Sequence, residues 1–73
     1  MSEKRPTVTA RAMTRALLRA GFVQIRQRGS HATFAKGTRR VIVPMHAGDL
    51  KPGTLKTIME ASGMTPDQLR DLL

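Results

Sequence analysis

The chain has no cysteine, no tryptophan and no tyrosine, and its only aromatics are Phe22 and Phe34. Without cysteine there are no disulfides and no thiolate metal sites. The two histidines and five carboxylates fall at no spacing that resembles HExxH or an EF-hand loop, so neither a metal nor a cofactor is expected. Long apolar runs are lacking as well. No segment is long enough to span a bilayer, the N-terminus lacks the apolar core of a signal peptide, and no Trp or Tyr is present to seat a helix at a membrane interface. The expectation is a cytoplasmic protein with no membrane partner. The scarcity of aromatics also limits how nucleic acid could be held. With Phe22 and Phe34 assigned to the core, there is no platform for stacking bases, and contacts should go to phosphates and sugars. At 73 residues the chain is one domain near the lower end of what folds alone, with no room for a deep pocket or a second domain.

Negative charge is the other shortage. Thirteen Lys and Arg stand against five Asp and Glu, a net charge of +8. So strong a positive field in so small a domain implies an acidic partner, with nucleic acid first and an acidic protein second. Binding through phosphates should weaken steeply as salt rises.

Met1–Pro6 is polar and without periodicity, and reads as a frayed tail. Thr7 or Thr9 can cap a helix over about Ala10–Ala20. Its apolar side is Ala10, Met13 and Leu17, widened by Ala16, Leu18 and Ala20, and Arg11, Arg15 and Arg19 form a basic stripe opposite. Gly21 fits the position that ends a helix. From Phe22 to Arg28, Val23 and Ile25 alternate with Gln24, Arg26 and Arg28, the pattern of a half-buried strand with its apolar side inward. Gly29-Ser30 makes a turn, and His31–Lys36 forms a second strand. Lys36-Gly37-Thr38 turns again into a third strand, Arg39–Pro44, in which Val41 and Val43 share one face and Ile42 takes the other. A loop follows over Met45–Leu50. Pro52 opens a helix with Leu55, Ile58, Met59 and Ser62 as its inner stripe and Gly63 at its end. Thr65-Pro66-Asp67-Gln68 is a capping-box start for a short last helix with Leu69, Leu72 and Leu73. The fold class is α+β: helix, three antiparallel strands, helix and short C-terminal helix, with the helices on one sheet face and the other face more open.

Within this frame the stretch Arg26-Gln27-Arg28-Gly29-Ser30-His31 stands out. A histidine, with an ordinary pKa near 6.5, can both take and give a proton near neutrality. If Phe34 faces the core, strict alternation sends His31 outward, toward the surface that carries Arg26 and Arg28. On these residues alone a histidine after a Gly-Ser turn is more often a surface or strand-cap residue than a catalyst.

Four stretches in this order resemble the HicA toxin family: Ala20-Gly21-Phe22-Val23, Arg26-Gln27-Arg28-Gly29-Ser30-His31, Val43-Pro44-Met45-His46 and Asp49-Leu50-Lys51-Pro52-Gly53-Thr54-Leu55. The resemblance runs from about Ala12 to Leu73, so the whole chain reads as a single HicA-like domain behind the tail. It implies a fold like the double-stranded-RNA-binding domain. It also implies a ribonuclease that cuts messenger RNA, arrests growth and is neutralised by a HicB-like antitoxin, with the essential histidine at His31. Many members carry a second histidine or an aromatic after that residue, where this chain has Ala32.

Metal-free cleavage of RNA uses the ribose 2′-OH as the attacking group. It needs a base for its proton, an acid for the leaving 5′-oxygen and positive charge around the phosphorane. The resemblance implies His31 as acid or base. Arg26, Arg28 and Lys36 are the candidates for holding the phosphate, with the Gly29 and Ser30 amides as further donors. The partner of His31 is left open among His46, Ser30 and a water. The competing expectation is a non-catalytic double-stranded-RNA-binding module. A helix–turn–helix DNA binder fits poorly, because the strand-rich middle separates the helices.

Overall fold

In the computed structural model, which describes residues 7–73, Thr9 starts the first helix, its hydroxyl accepting from the Ala12 amide at 3.1 Å. Helix α1 spans Ala10–Arg19 and buries Ala10, Met13, Ala16 and Leu17, which recur at the helical period. It closes in a Schellman arrangement, with the Phe22 amide on the Leu17 carbonyl at 2.9 Å and the Gly21 amide on the Leu18 carbonyl at 3.1 Å. The expected tail over Met1–Pro6 lies outside the described residues.

Strands β1 (Val23–Arg28), β2 (His31–Lys36) and β3 (Arg39–Pro44) form one antiparallel sheet in the order β1-β2-β3. The first hairpin closes through the two residues Gly29 and Ser30, since Arg28 pairs with His31. Gly29 has φ of 57°, and no described non-glycine residue has positive φ. A glycine at the first central position, followed by a residue of negative φ, is what a type II′ turn requires, and that turn matches the twist of the strands it joins.

Helix α2 spans Pro52–Ser62 and α3 spans Pro66–Leu72. Thr65 and Gln68 satisfy each other's backbone amides in the expected capping box. Helices α1 and α2 cover one face of the sheet, with α3 packed on α1, above a core that includes Met13, Leu17, Phe34, Val41, Val43 and Ile58. The order α-β-β-β-α with the sheet open on its other side is the expected α+β, double-stranded-RNA-binding-domain-like layout. The buried Ser62 hydroxyl is satisfied by the Met59 carbonyl and the Met64 amide.

Expectations fail at β1, at Leu18 and at Leu73, which is half exposed and lies past the last residue of α3. Val23 and Ile25 do not face the core; they are 62% and 54% exposed, and every residue of β1 is exposed. The cause is a bulge at Ile25. Gln24 pairs with Phe34, but Arg26, two residues on, pairs with Thr33, the very next position of β2. One extra residue inverts the facing of everything on its far side. Gln24 and Gln27 therefore lie on the helix-side face, joined by a 3.0 Å side-chain hydrogen bond, and β1 overhangs the helical layer as an edge strand. Leu18, expected to widen the buried face of α1, is half exposed.

Three cationic side chains finish the helices from outside. Lys36 donates to the Ala20 carbonyl at the end of α1 (2.6 Å), Arg39 to the Ala61 carbonyl near the end of α2 (3.3 Å), and Arg19 to the Leu72 carbonyl at the end of α3 (2.6 Å). Helix C-termini present unpaired carbonyls and partial negative charge, so each cation sits where it is favoured. Lys36 and Arg39 flank one turn, so the β2–β3 hairpin serves the ends of two helices at once.

Candidate functional site

The bulge that exposes β1 also decides which of its side chains meet β2. Beyond it, two rows run across the outer face: Arg28, His31 and Pro44, then Arg26, Thr33 and Ile42. Directly paired residues share a face with Cβ atoms about 4.5–5.5 Å apart. Arg28 and His31 are thus nearest cross-strand neighbours on the side away from the helices, and Arg26 is in the adjoining row. His31, Arg26 and Arg28 are exposed.

Ser30 stands in the turn between Arg28 and His31, and its carbonyl accepts the Met45 amide, which ties the turn to the loop after β3. The Gln27 side-chain amide donates to the Gly29 carbonyl at 3.3 Å and braces the turn from β1. His31 therefore projects from a hairpin end held from both sides.

Lys36 is not brought to this surface. It alternates with Ala32 and Phe34 on the helix side, its ammonium on the Ala20 carbonyl and 5.8 Å from the centre of the Phe22 ring. His46 lies at the same end of the sheet as His31, in the loop after β3, with Nδ1 3.2 Å from the Ala47 carbonyl.

The distribution of charge sharpens the site. Among the described residues, cationic side chains that donate to the protein are Arg19, Lys36, Arg39 and Arg40, and Arg70 pairs with Asp67. Arg26 and Arg28 do neither, so no described residue engages their guanidinium groups. No Asp or Glu occurs from Thr7 to Gly48, a stretch that includes α1 and the whole sheet. That asymmetry is legible in the sequence as a run without acids, a signal that composition alone averages away. Sequence reasoning also passed over Lys51, which shares a shallow groove with Ile42 of the outer face and Thr54 of α2. Among the described residues no three His, Asp or Glu come together as a metal site would require, and no helix is long and apolar enough to cross a membrane.

The family model described as HicA toxin of bacterial toxin–antitoxin matches residues 10–64. The chain belongs to the HicA toxin family. The matched span begins at the first residue of α1 and ends just after Gly63, so it takes in α1, the sheet and α2 and leaves α3 outside. Membership makes the chain the toxin of a toxin–antitoxin system, with an antitoxin as its partner. Among curated proteins none matches the chain.

Proposed function

We propose that this HicA-family chain is an endoribonuclease that cuts messenger RNA in the cytoplasm, without a metal cofactor, and is held inactive by a HicB-like antitoxin. In this reading the whole chain acts as one domain. His31 transfers a proton at the scissile phosphate, Arg26 and Arg28 hold the phosphate, and the turn at Ser30 supplies further donors to RNA.

The observation that carries the reading is the cross-strand row in which Arg28 faces His31, with Arg26 in the next row. A phosphodiester needs a proton-transfer group and positive charge on the same side of the backbone, and no carboxylate in the surrounding sequence competes for those arginines. Guanidinium groups suit the phosphorane because they present a planar fork of donors at fixed charge.

Incubating the purified protein with a transcript in excess chelator tests this. The expected result is shortened RNA whose fragments end in a 2′,3′-cyclic phosphate and a 5′-hydroxyl, the products of 2′-OH attack. RNA that is shifted in a gel but stays intact would mean a binding module instead.

A further inference from the structure

His46 is the second histidine of the chain and is given no role in the reading above. Its predecessor, Met45, is tied at two points. The Met45 amide donates to the Ser30 carbonyl, and its sulfur accepts the Thr14 hydroxyl of α1 at 3.4 Å. The backbone entering His46 is thus fixed against the turn that carries His31 and against α1. Pro44 is the cross-strand partner of His31. One cross-strand step of ~5.5 Å and two residues of ~3.4 Å each bound the separation of the two histidine Cα atoms at about 12 Å.

The ring of His46 is oriented as well as placed. Nδ1 lies 3.2 Å from the Ala47 carbonyl. A carbonyl oxygen can only accept, so Nδ1 is the protonated nitrogen and Nε2 of the neutral ring carries the lone pair. When Nε2 takes a proton, the Nδ1–H bond is unchanged and nothing has to rearrange. The ring is exposed and borders a depression of about 390 Å³ that Thr9, Arg11 and Gly48 also line. Met45 lines the same depression and its amide holds the Ser30 carbonyl, so the depression and the His31 turn lie at one end of the sheet.

We infer that His46 is the second proton-transfer group of the cleavage reaction and acts as its base; the inference rests on the ribonuclease reading given above. Nε2 of His46 takes the proton of the ribose 2′-OH as the 2′-oxygen attacks phosphorus. The O2′–P bond forms, the P–O5′ bond breaks, and the leaving 5′-oxygen takes a proton from the His31 imidazolium. The products are a 2′,3′-cyclic phosphate and a 5′-hydroxyl. His46 ends protonated and His31 neutral, and exchange with water restores both.

The roles separate on a substrate with sulfur in place of the 5′ leaving oxygen, because a thiolate departs without an acid. Single-turnover cleavage by the full chain is measured on an oligoribonucleotide that the wild-type protein cuts and on its sulfur counterpart. H46Q is expected to be slower by about 10²-fold or more on both substrates, the range for a positioned base. H31Q is expected to be similarly slow on the oxygen substrate and to recover to within about tenfold of wild type on the sulfur one. H46N, whose shorter amide can still donate to the Ala47 carbonyl, should behave as H46Q, and unchanged thermal unfolding of both excludes a folding defect. Wild-type rates for both His46 variants, with H31Q still slow, would overturn the role of His46 and leave that of His31 standing. Rescue of the His46 variants by sulfur would also overturn it, since His46 would then be the acid. No cleavage by the wild-type protein would overturn the ribonuclease reading and the role of His46 with it, whereas a wild-type rate for H31Q on the oxygen substrate would overturn His31 as the acid and the pairing of the two histidines.

Discussion

Residues of one chemical type do different work here, and hydrogen bonding tells them apart. Arg28 and Lys36 are both exposed cations on the same hairpin, but no described residue engages Arg28 beside His31, while Lys36 sits on the Ala20 carbonyl on the opposite face. Replacing Arg28 with Gln should therefore remove about one phosphate contact, lowering the slope of log K against log salt for single-stranded RNA by about 0.7. Lys36→Gln should leave that slope unchanged and instead cost about 0.3–1 kcal/mol of stability, the worth of a cation at a helix C-terminus. Salt titrations of RNA binding with both variants check the distinction; equal changes in slope would contradict it. Gly63 is a second residue whose identity the geometry fixes. It ends α2 at φ 75°, and a Cβ there would come within 2.7 Å of the Arg39 guanidinium carbon. The guanidinium can swing away, but the left-handed backbone cannot relax, so Gly63→Ala should cost about 1–2 kcal/mol in urea unfolding.

Among the elements, those with a strong local signal were legible from sequence and the edge strand was not. Thr65-Pro66-Asp67-Gln68 carries its whole capping box in four residues, and the Leu69 that follows is buried as its spacing requires. Phe34 sets the facing of β2, and alternation from it correctly sends His31 outward. In β1 the same alternation fails, because a bulge is decided by pairing across the sheet and leaves no mark in Val23-Gln24-Ile25-Arg26 itself. Arg26 and Arg28 nevertheless reach the outer face, since the reversal occurs before them. His46 was harder to read: its place depends on the Met45 amide reaching Ser30, a contact between residues far apart in the chain. A difference in stability follows from these positions. Phe34→Ala, at a fully buried site in the central strand, should cost about 3–5 kcal/mol and unfold much of the protein. Ile25→Thr, at an exposed bulge, should change stability by less than about 0.5 kcal/mol. Denaturation midpoints for the two variants measure this contrast, and a large loss at Ile25 would mean that β1 is packed in a way its exposure does not suggest.

For the whole molecule, what matters is the separation of charge from support. The helices and the buried face of the sheet hold the fold, several cations are committed to helix ends, and Arg26 and Arg28 face outward beside His31 on the uncovered side of the sheet. A field of this sign should speed encounter with any acidic partner. Association with the cognate antitoxin is expected to slow as ionic strength rises, while dissociation changes less; an association rate indifferent to salt would count against electrostatic steering. The same arrangement makes binding and cleavage separable, because phosphate affinity is spread over several cations whereas proton transfer is concentrated on the histidines. The most direct measurement is therefore the single-turnover cleavage rate of RNA by His31→Gln at a protein concentration that saturates binding. A fall of about 10²-fold or more with RNA affinity nearly unchanged is expected if His31 moves the proton. Cleavage by that variant at the wild-type rate would contradict the assignment of His31 to the reaction.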